Sequence, residues 1–326
     1  MTRQISLIAV LAMSGLVLTG PALAQTNWDM ATPYADSDFH TRNIAQFADE
    51  VSTATGGGLT ITVHSAGSLF GHPEIKDSVR KGLAPIGEVL MSRLANEDPV
   101  FEVDSVPFLA NGYDQALKLW QASRETITQK LADQGLTLLY VVPWPGQGIY
   151  TKDAVTDAAS FQGQNMRAYN AASERLAQLL GAVPTQVEAG DVPTAFSTGR
   201  VSAMITSPST GVTSQAWDFT SFYTDAQAWL PKNMVIVNTE AFNALPEDQR
   251  AAITQAAAQA ETRGWDMSAV EATEATEALA KNGMTVAKPS EAFQAELLAI
   301  GETMTNEWLE RAGEPGKAII DAYRAE

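Results

Sequence analysis

An arginine in the middle of a short, strand-like run is the residue with the clearest potential for binding chemistry. Arg167 lies in the segment GQNMRAYN, residues 163–170, where Tyr169 and Asn170 follow it and a helical pattern comes next. A guanidinium held at this point can offer two parallel N–H donors to a carboxylate. The alternative is a structural salt bridge, and these eight residues alone do not separate the two.

Residues for metal or hydrolytic chemistry are scarce. The chain has three histidines, His40, His64 and His72, and no cysteine. The spacing of His64 and His72 gives no i,i+4 pair on one helix, so we expect no metal site. A Gly-x-Ser-x-Gly motif is absent, and a Ser-His-Asp triad has few imidazoles to draw on. We therefore expect neither a cofactor nor an enzymatic activity, with an exported hydrolase as the alternative.

Two tryptophans stand near the ends of predicted strands. Trp144 lies in the turn PWPGQG, residues 143–148, and Trp229 lies in QAWLP, residues 227–231, just before another strand. Ligands of open α/β sheets bind outside the carboxyl ends of the strands. Trp144 is therefore well placed to contact a ligand, whereas the position of Trp229 is less clear. Core packing is the alternative for each of them.

Strand-like and helical patterns alternate along the chain, which indicates an α/β fold with mainly parallel sheets. The predicted strands are residues 27–32, 59–63, 85–91, 137–142, 165–169, 183–187, 203–206 and 234–238. The predicted helices are residues 39–53, 73–81, 112–131, 172–180, 191–198 and 246–281.

The last of these helices is far longer than the others. Pro246, Glu247 and Asp248 form a strong helix start, and the pattern continues to Asn282-Gly283, which ends it. At 1.5 Å per residue such a helix is roughly 50 Å long. Its apolar positions do not follow a strict heptad, so we predict a brace laid across two lobes rather than a coiled coil.

Composition and the first residues indicate an exported protein. Arg3, an apolar run over residues 5–20 and the small-x-small sequence Ala22-Leu23-Ala24 predict a signal peptide over residues 1–24, cleaved after Ala24. The chain has 21 basic and 38 acidic residues, a net charge of −17, which argues against nucleic-acid binding. We expect a periplasmic protein, and a monomer.

The order of these features resembles the DctP-type solute-binding proteins of tripartite ATP-independent periplasmic (TRAP) transporters. The features are Gly163-x-x-x-Arg167-x-x-Asn170, the run from Asp191 to Val201, and the long helix after Leu245. The segments HSAGSL, residues 64–69, and DSVPFL, residues 104–109, also fit the family. The resemblance extends over essentially the whole chain after the signal peptide.

The resemblance implies two α/β lobes that are braced by one long helix and close on a ligand, which membrane permease subunits then receive. The corresponding division is residues 25–143 plus about 232–270 for lobe I, and 144–231 plus about 271–326 for lobe II. It also implies that Arg167 binds a ligand carboxylate, with Tyr169 and Asn170 ordering the guanidinium or lining the pocket. Thr206 and Ser207 stand where the family often has an amide and a charged residue.

Two departures from the family pattern leave the ligand open. The turn that holds Trp144 lacks the second basic residue that many carboxylate-binding members have before Tyr150. Glu88 lies in the predicted strand over residues 85–91, where the strand approaches the cleft and many members have an apolar or small residue. Closure would bring Arg167 from one lobe against Phe39 and Glu88 of the other. If Glu88 faces the cleft, the site suits a small amine or zwitterion held by this carboxylate and by aromatic rings. If it does not, Arg167 alone suits a monocarboxylate.

Overall fold

The computed structural model describes residues 25–325, so the predicted signal peptide and its cleavage point lie outside the described residues. The strands are β1 Thr26–Ala31, β2 Leu59–His64, β3 Ile86–Leu90, β4 Leu136–Pro143, β5 Gly148–Thr151, β6 Asn165–Ala168, β7 Val183–Gln186, β8 Ala203–Thr206, β9 Phe222–Thr224, β10 Lys232–Asn238 and β11 Thr285–Ala287. The helices are α1 Phe39–Ala54, α2 His72–Arg80, α3 Gly112–Ala132, α4 Ala171–Leu179, α5 Val192–Ser197, α6 Pro208–Thr213, α7 Thr239–Ala244, α8 Glu247–Lys281 and α9 Glu291–Ala325.

The first lobe is built on a five-stranded sheet with the order β2-β1-β3-β10-β4. Its strands are parallel except for β10, which pairs antiparallel with both β3 and β4. Residues of β10 alternate between two hydrophobic clusters: Val235 and Val237 face α1 and α8, whereas Met234 and Ile236 face α2 and α3. A strand covered on both faces reads as a continuous apolar run, which is why the sequence pattern located it.

The second lobe is built on a six-stranded sheet with the order β11-β9-β5-β8-β6-β7. Here β5 is the strand that runs antiparallel to its neighbours, β8 and β9. The other pairs, including β6 with β7 and with β8, are parallel. The predicted α/β fold with mainly parallel sheets is therefore confirmed, with one reversed strand in each sheet.

Two extended segments connect the sheets side by side. Residues 144–147 lead from β4 to β5, and residues 225–231 lead from β9 to β10. They hydrogen-bond to each other: Trp144 N donates to Pro231 O at 2.7 Å and Gln147 N to Trp229 O at 3.0 Å. These bonds make one crossing ribbon of the two connections, at the floor of the space between the lobes.

Helix α8 spans both lobes, as the sequence predicted. Near its start, Ile253 and Ala256 lie in the cluster that covers the first sheet on the α1 side. Near its end, Leu279 packs with Tyr150 and Tyr223 of the second sheet. At 35 residues it is about 50 Å long, enough to reach across both units.

A second long helical segment, α9, was not predicted from the sequence; its 35 residues form two helices that meet at a kink at Gly313, where φ is 58° and ψ is −143°. Its first turns pack on the second lobe, where Phe293 stacks on Phe161 with ring centroids 5.9 Å apart. Farther along, Trp308 donates to Pro99 O at 2.7 Å and Ile319 and Ile320 lie in the core of the first lobe. The predicted division of the chain into lobes near residue 270 stays a prediction. It assigned all of α9 to the second lobe, whereas these contacts place the end of α9 against the first.

Candidate functional site

A small cavity of about 40 Å³ lies between the two lobes, at the carboxyl ends of β3, β6, β7 and β8. Side chains from both lobes and from the crossing ribbon line it, namely Tyr34, His72, Leu90, Arg93, Trp144, Gln147, Arg167, Tyr169, Glu188, Ala189, Thr206, Ser207, Thr210 and Pro231. This is the position at which α/β sheets bind ligands, because strand ends and the loops that follow them converge there.

Arg167 is the dominant charge in this cavity. Its strand neighbour Met166 packs with Leu176 of α4, so Arg167 points to the opposite face of the sheet. The side chain is 3% exposed, and its Nε donates to Val187 O at 3.0 Å. Its Nη1 is buried without a hydrogen-bond partner, and within residues 25–325 no carboxylate forms an ion pair with this guanidinium.

A buried, unpaired guanidinium is costly unless a ligand supplies the missing charge. Burial lowers the pKa of Arg167 to about 10, against the opposing effects of Tyr169 and Glu188. The group still carries its proton at neutral pH, so the cleft presents a desolvated cation. The arrangement therefore fits the predicted anion-binding role better than a structural salt bridge.

Tyr169 holds the guanidinium from one side. The Arg167 Cζ atom lies 5.1 Å from the centroid of the Tyr169 ring, a cation–π distance. The Tyr169 hydroxyl donates to Gln147 Oε1 at 3.0 Å and accepts from Trp229 Nε1 at 3.1 Å. Trp229 thus lies behind Tyr169 and supports it. The sequence predicted Trp229 as a ligand contact, but its side chain is not part of the cavity wall.

Trp144 forms an aromatic wall with Tyr34. The two rings meet edge to face with centroids 5.0 Å apart, and Trp144 Nε1 donates to Asn233 Oδ1 at 2.9 Å. Phe39 packs edge to face against the far side of Trp144, with centroids 5.4 Å apart. Trp144 thus lies in the cavity wall, whereas Phe39 supports that wall from behind.

Glu88 does not line this cavity, although it is 1% exposed and close to it. It shares a strand face with Ile86 and Leu90 and points toward α1, while the neighbouring Gly87 faces α2. Its carboxylate accepts from Thr32 Oγ1 at 2.5 Å and from Asn233 Nδ2 at 2.7 Å. The ring of His40 lies 3.3 Å from the same carboxylate. Its oxygens are therefore already engaged inside the first lobe.

The polar residues at the ends of β6 and β8 divide into two groups. Thr206 and Ser207 line the cavity, and Ser207 also caps α6 by accepting from Thr210 N at 3.0 Å. Asn170 caps α4, accepting from Ser173 N at 2.8 Å, and its Nδ2 donates across the lobes to Ser92 Oγ at 2.8 Å. Asn170 is thus an interlobe contact outside the cavity wall.

Five of the nine predicted site residues line the cavity together, namely Arg167, Tyr169, Trp144, Thr206 and Ser207.

Sequence reasoning missed a second arginine in the cavity. Arg93 follows β3 directly, and its guanidinium forms a two-point contact with Glu188, which follows β7 in the other lobe. Nη2 donates to Oε1 at 2.9 Å and Nη1 to Oε2 at 3.1 Å. Both residues stand just beyond the carboxyl ends of predicted strands, and that position was the signal available in the sequence.

Comparison with known proteins identifies the class. Residues 30–311 match the family described as bacterial extracellular solute-binding protein, family 7 (DctP). The chain belongs to this family, which confirms the resemblance noted from its motifs. Members of the family and its structural neighbours are extracytoplasmic receptors of transport systems, which implies a periplasmic location. The two-lobe α/β fold with a long bracing helix agrees with these neighbours.

Individual proteins agree with this assignment. DctP7 of Bordetella pertussis, an extracytoplasmic solute receptor binding pyroglutamic acid, is 48% identical, with a TM-score of 0.91 over 92% of this chain and 99% of its own. A marine metagenome TRAP solute-binding protein specific for pyroglutamate is 43% identical, with a TM-score of 0.91 over 93% and 99% of the two chains. The C4-dicarboxylate-binding periplasmic protein DctP of Rhodobacter capsulatus is 25% identical over 100% of both chains.

Membrane-spanning helices and metal-ligand clusters are both absent from the part of the chain that the structure describes. No helix within residues 25–325 is long and apolar enough to cross a membrane. The same residues contain no group of three or more histidines, aspartates or glutamates placed to hold a metal ion.

Proposed function

We propose that this protein captures a small monocarboxylate, with pyroglutamate as the first candidate, and delivers it to the membrane subunits of a TRAP transporter. The observation that carries the proposal is the unpaired Arg167 guanidinium, buried in a cavity between the lobes. A carboxylate supplies the charge and the two acceptors that this group lacks. Binding then favours the closed arrangement of the lobes, which the permease recognises.

The rest of the cavity suits a compact ring. Trp144 and Tyr34 offer aromatic surface, while Thr206 carries a hydroxyl group for a polar atom of a lactam. Receptors that are 43% and 48% identical to this chain bind pyroglutamate, a five-membered lactam with one carboxylate. At this similarity a shared ligand class is the simplest expectation.

The amine alternative has less support, because it depended on a Glu88 that faces the ligand. The Glu88 carboxylate instead accepts from Thr32 and Asn233 and lies beside His40. An amine in the cavity would also meet the uncompensated cation of Arg167, and like charges in a desolvated space repel strongly.

A thermal-shift titration with pyroglutamate and other small monocarboxylates tests the proposal. At a ligand concentration of about 100 Kd the wild-type protein gains about 2.7 kcal/mol, which raises the Tm by roughly 5 °C. Arg167→Gln removes the charge partner of the ligand, and we expect at least a hundredfold weaker binding and no shift. Arg124→Gln is the matched control, because Arg124 is an exposed arginine paired with Glu261 on the outer surface.

Two results would count against the proposal, and they differ. A wild-type protein that binds no small monocarboxylate contradicts the function itself. An Arg167→Gln variant that keeps the full shift contradicts the role of the arginine and leaves the ligand class intact.

A further inference from the structure

The contact between Arg93 and Glu188 is the one ion pair that lines the cavity among the described residues. It joins the two lobes, since Arg93 follows β3 of the first sheet and Glu188 follows β7 of the second. Besides its two bonds to Glu188, the guanidinium donates to Tyr169 O at 3.3 Å. Three of the five N–H groups of Arg93 therefore have protein acceptors, and its charge is paired with the Glu188 carboxylate.

The neighbouring histidine adds no charge. The backbone N–H of Leu90 donates to Nε2 of His72 at 3.3 Å, which leaves the ring proton on Nδ1. That Nδ1 faces Oε2 of Glu188 at 3.9 Å. Burial and the nearby Arg93 lower the pKa of His72 to about 3, so the ring is neutral at physiological pH.

The charged side chains of the cavity wall within residues 25–325 are thus two arginines and one glutamate. Arg93 and Glu188 cancel each other at contact distance, and Arg167 remains. The site has capacity for one negative charge, and a second carboxylate would meet an arginine that is already neutralised and a glutamate that repels it.

We propose that Glu188 is a specificity-determining residue that restricts the cleft to singly charged anions by neutralising Arg93. This inference rests on the proposed monocarboxylate function and concerns what the same site rejects. A full-length relative in the family is named for C4-dicarboxylate binding, so the fold itself does not exclude dianions. In this protein the ion pair between Arg93 and Glu188 is what excludes dianions from the cleft.

Competition titrations of pyroglutamate against glutarate, a five-carbon dicarboxylate, test the inference. The measured quantity is the ratio of the glutarate affinity to the pyroglutamate affinity, because a general loss of closure weakens both ligands and cancels in the ratio. In Glu188→Gln the guanidinium of Arg93 loses its counter-charge and the cleft holds two cations. We expect the ratio to rise roughly tenfold or more over wild type, since a hydrogen bond to a charged group is worth about that factor.

Two further variants separate charge from shape. The double variant Arg93→Gln/Glu188→Gln restores a single cation, so its ratio returns to within about threefold of wild type if charge decides. Glu307→Gln is the matched control, because Glu307 forms a similar two-point contact with Arg175 on the outer surface. We expect no change in the ratio for this variant.

The outcomes are distinct from those of the proposed function. An unchanged ratio in Glu188→Gln, or a ratio that stays high in the double variant, overturns the inference even when pyroglutamate binds well. A wild-type protein that binds neither anion contradicts the proposed function instead.

Discussion

Arg167 and Glu88 are both charged and both almost fully buried, yet their surroundings give them opposite roles. The Glu88 carboxylate accepts two side-chain hydrogen bonds and lies against His40, so it needs no ligand. The Arg167 guanidinium has one protein acceptor for its Nε and a buried Nη1 with none. Burial alone therefore does not distinguish the two residues, whereas the hydrogen-bond partners of each charged group do.

The Glu88 contacts predict a positioning role that acts through Asn233. Asn233 donates to Glu88 and accepts from Trp144, so Glu88 orients the aromatic wall without contacting the ligand. Glu88→Gln should lower the free energy of unfolding by about 1–3 kcal/mol and weaken ligand binding by less than about tenfold. Urea unfolding and calorimetric titration measure the two effects.

Glu240→Gln, on the exposed side of α7, is the control for this variant and should stay within about 0.5 kcal/mol of wild type. Binding that disappears in Glu88→Gln while stability is unchanged would contradict the positioning role. Such a result would favour the amine hypothesis.

At the scale of elements, strand ends carry the site and long helices carry the framework. Arg167 and Tyr169 come from the end of β6, Thr206 from β8, and Arg93 and Glu188 from the turns after β3 and β7. Parallel strands direct their carboxyl ends to one edge, which brings residues from distant parts of the chain to one point.

Helix α8 crosses β4 so closely that one position accepts glycine only. A Cβ atom on Gly264 would lie 2.3 Å from Cγ2 of Val142 and 2.8 Å from Nδ2 of Asn43. Alanine is favoured over glycine by about 1 kcal/mol in a free helix, but overpacking costs about 1–3 kcal/mol. Gly264→Ala should therefore destabilise the protein in urea unfolding, with Asp266→Ala on the exposed face of the same turn as the neutral control. A Gly264→Ala protein more stable than wild type would show that the crossing is looser than described.

At the scale of the whole molecule, the ligand decides whether closure is favourable. Interlobe bonds from Arg93 to Glu188 and from Asn170 to Ser92 favour the closed form. Closure also desolvates the Arg167 guanidinium, which costs several kcal/mol without a counter-charge. Under the proposed function a bound carboxylate removes that cost, and we therefore expect ligand binding and closure to be coupled.

Small-angle scattering tests this coupling. The radius of gyration of the wild-type protein should fall when saturating pyroglutamate is added, because the lobes close on the ligand. The Arg167→Gln protein should show the same value with and without it, whereas Arg124→Gln should behave as wild type. A ligand-free wild-type protein that is already as compact as the complex would contradict the coupling, since closure would then need no anion.

Much of the architecture was readable from local sequence patterns. The predicted strand over residues 203–206 and the predicted helix over 39–53 agree with β8 and α1 to within one residue. Short strands on the second lobe were missed, because β5, β9 and β11 have three or four residues and their apolar runs are brief. The kinked helical segment α9 was missed as well, although its two helices together have 35 residues.

The sequence by itself determined that the chain is an α/β protein with a long bracing helix and an arginine at a strand end, because these depend on local periodicity and spacing. Tertiary structure decided which charges remain free for a ligand. Arg93 and Glu188 are 95 residues apart and pair only when the lobes meet. Glu88 and Arg167 were both candidates until packing gave the first its partners and left the second, within residues 25–325, without a carboxylate partner. Charge balance in a cleft is a sum over residues from distant elements, so no single segment contains it.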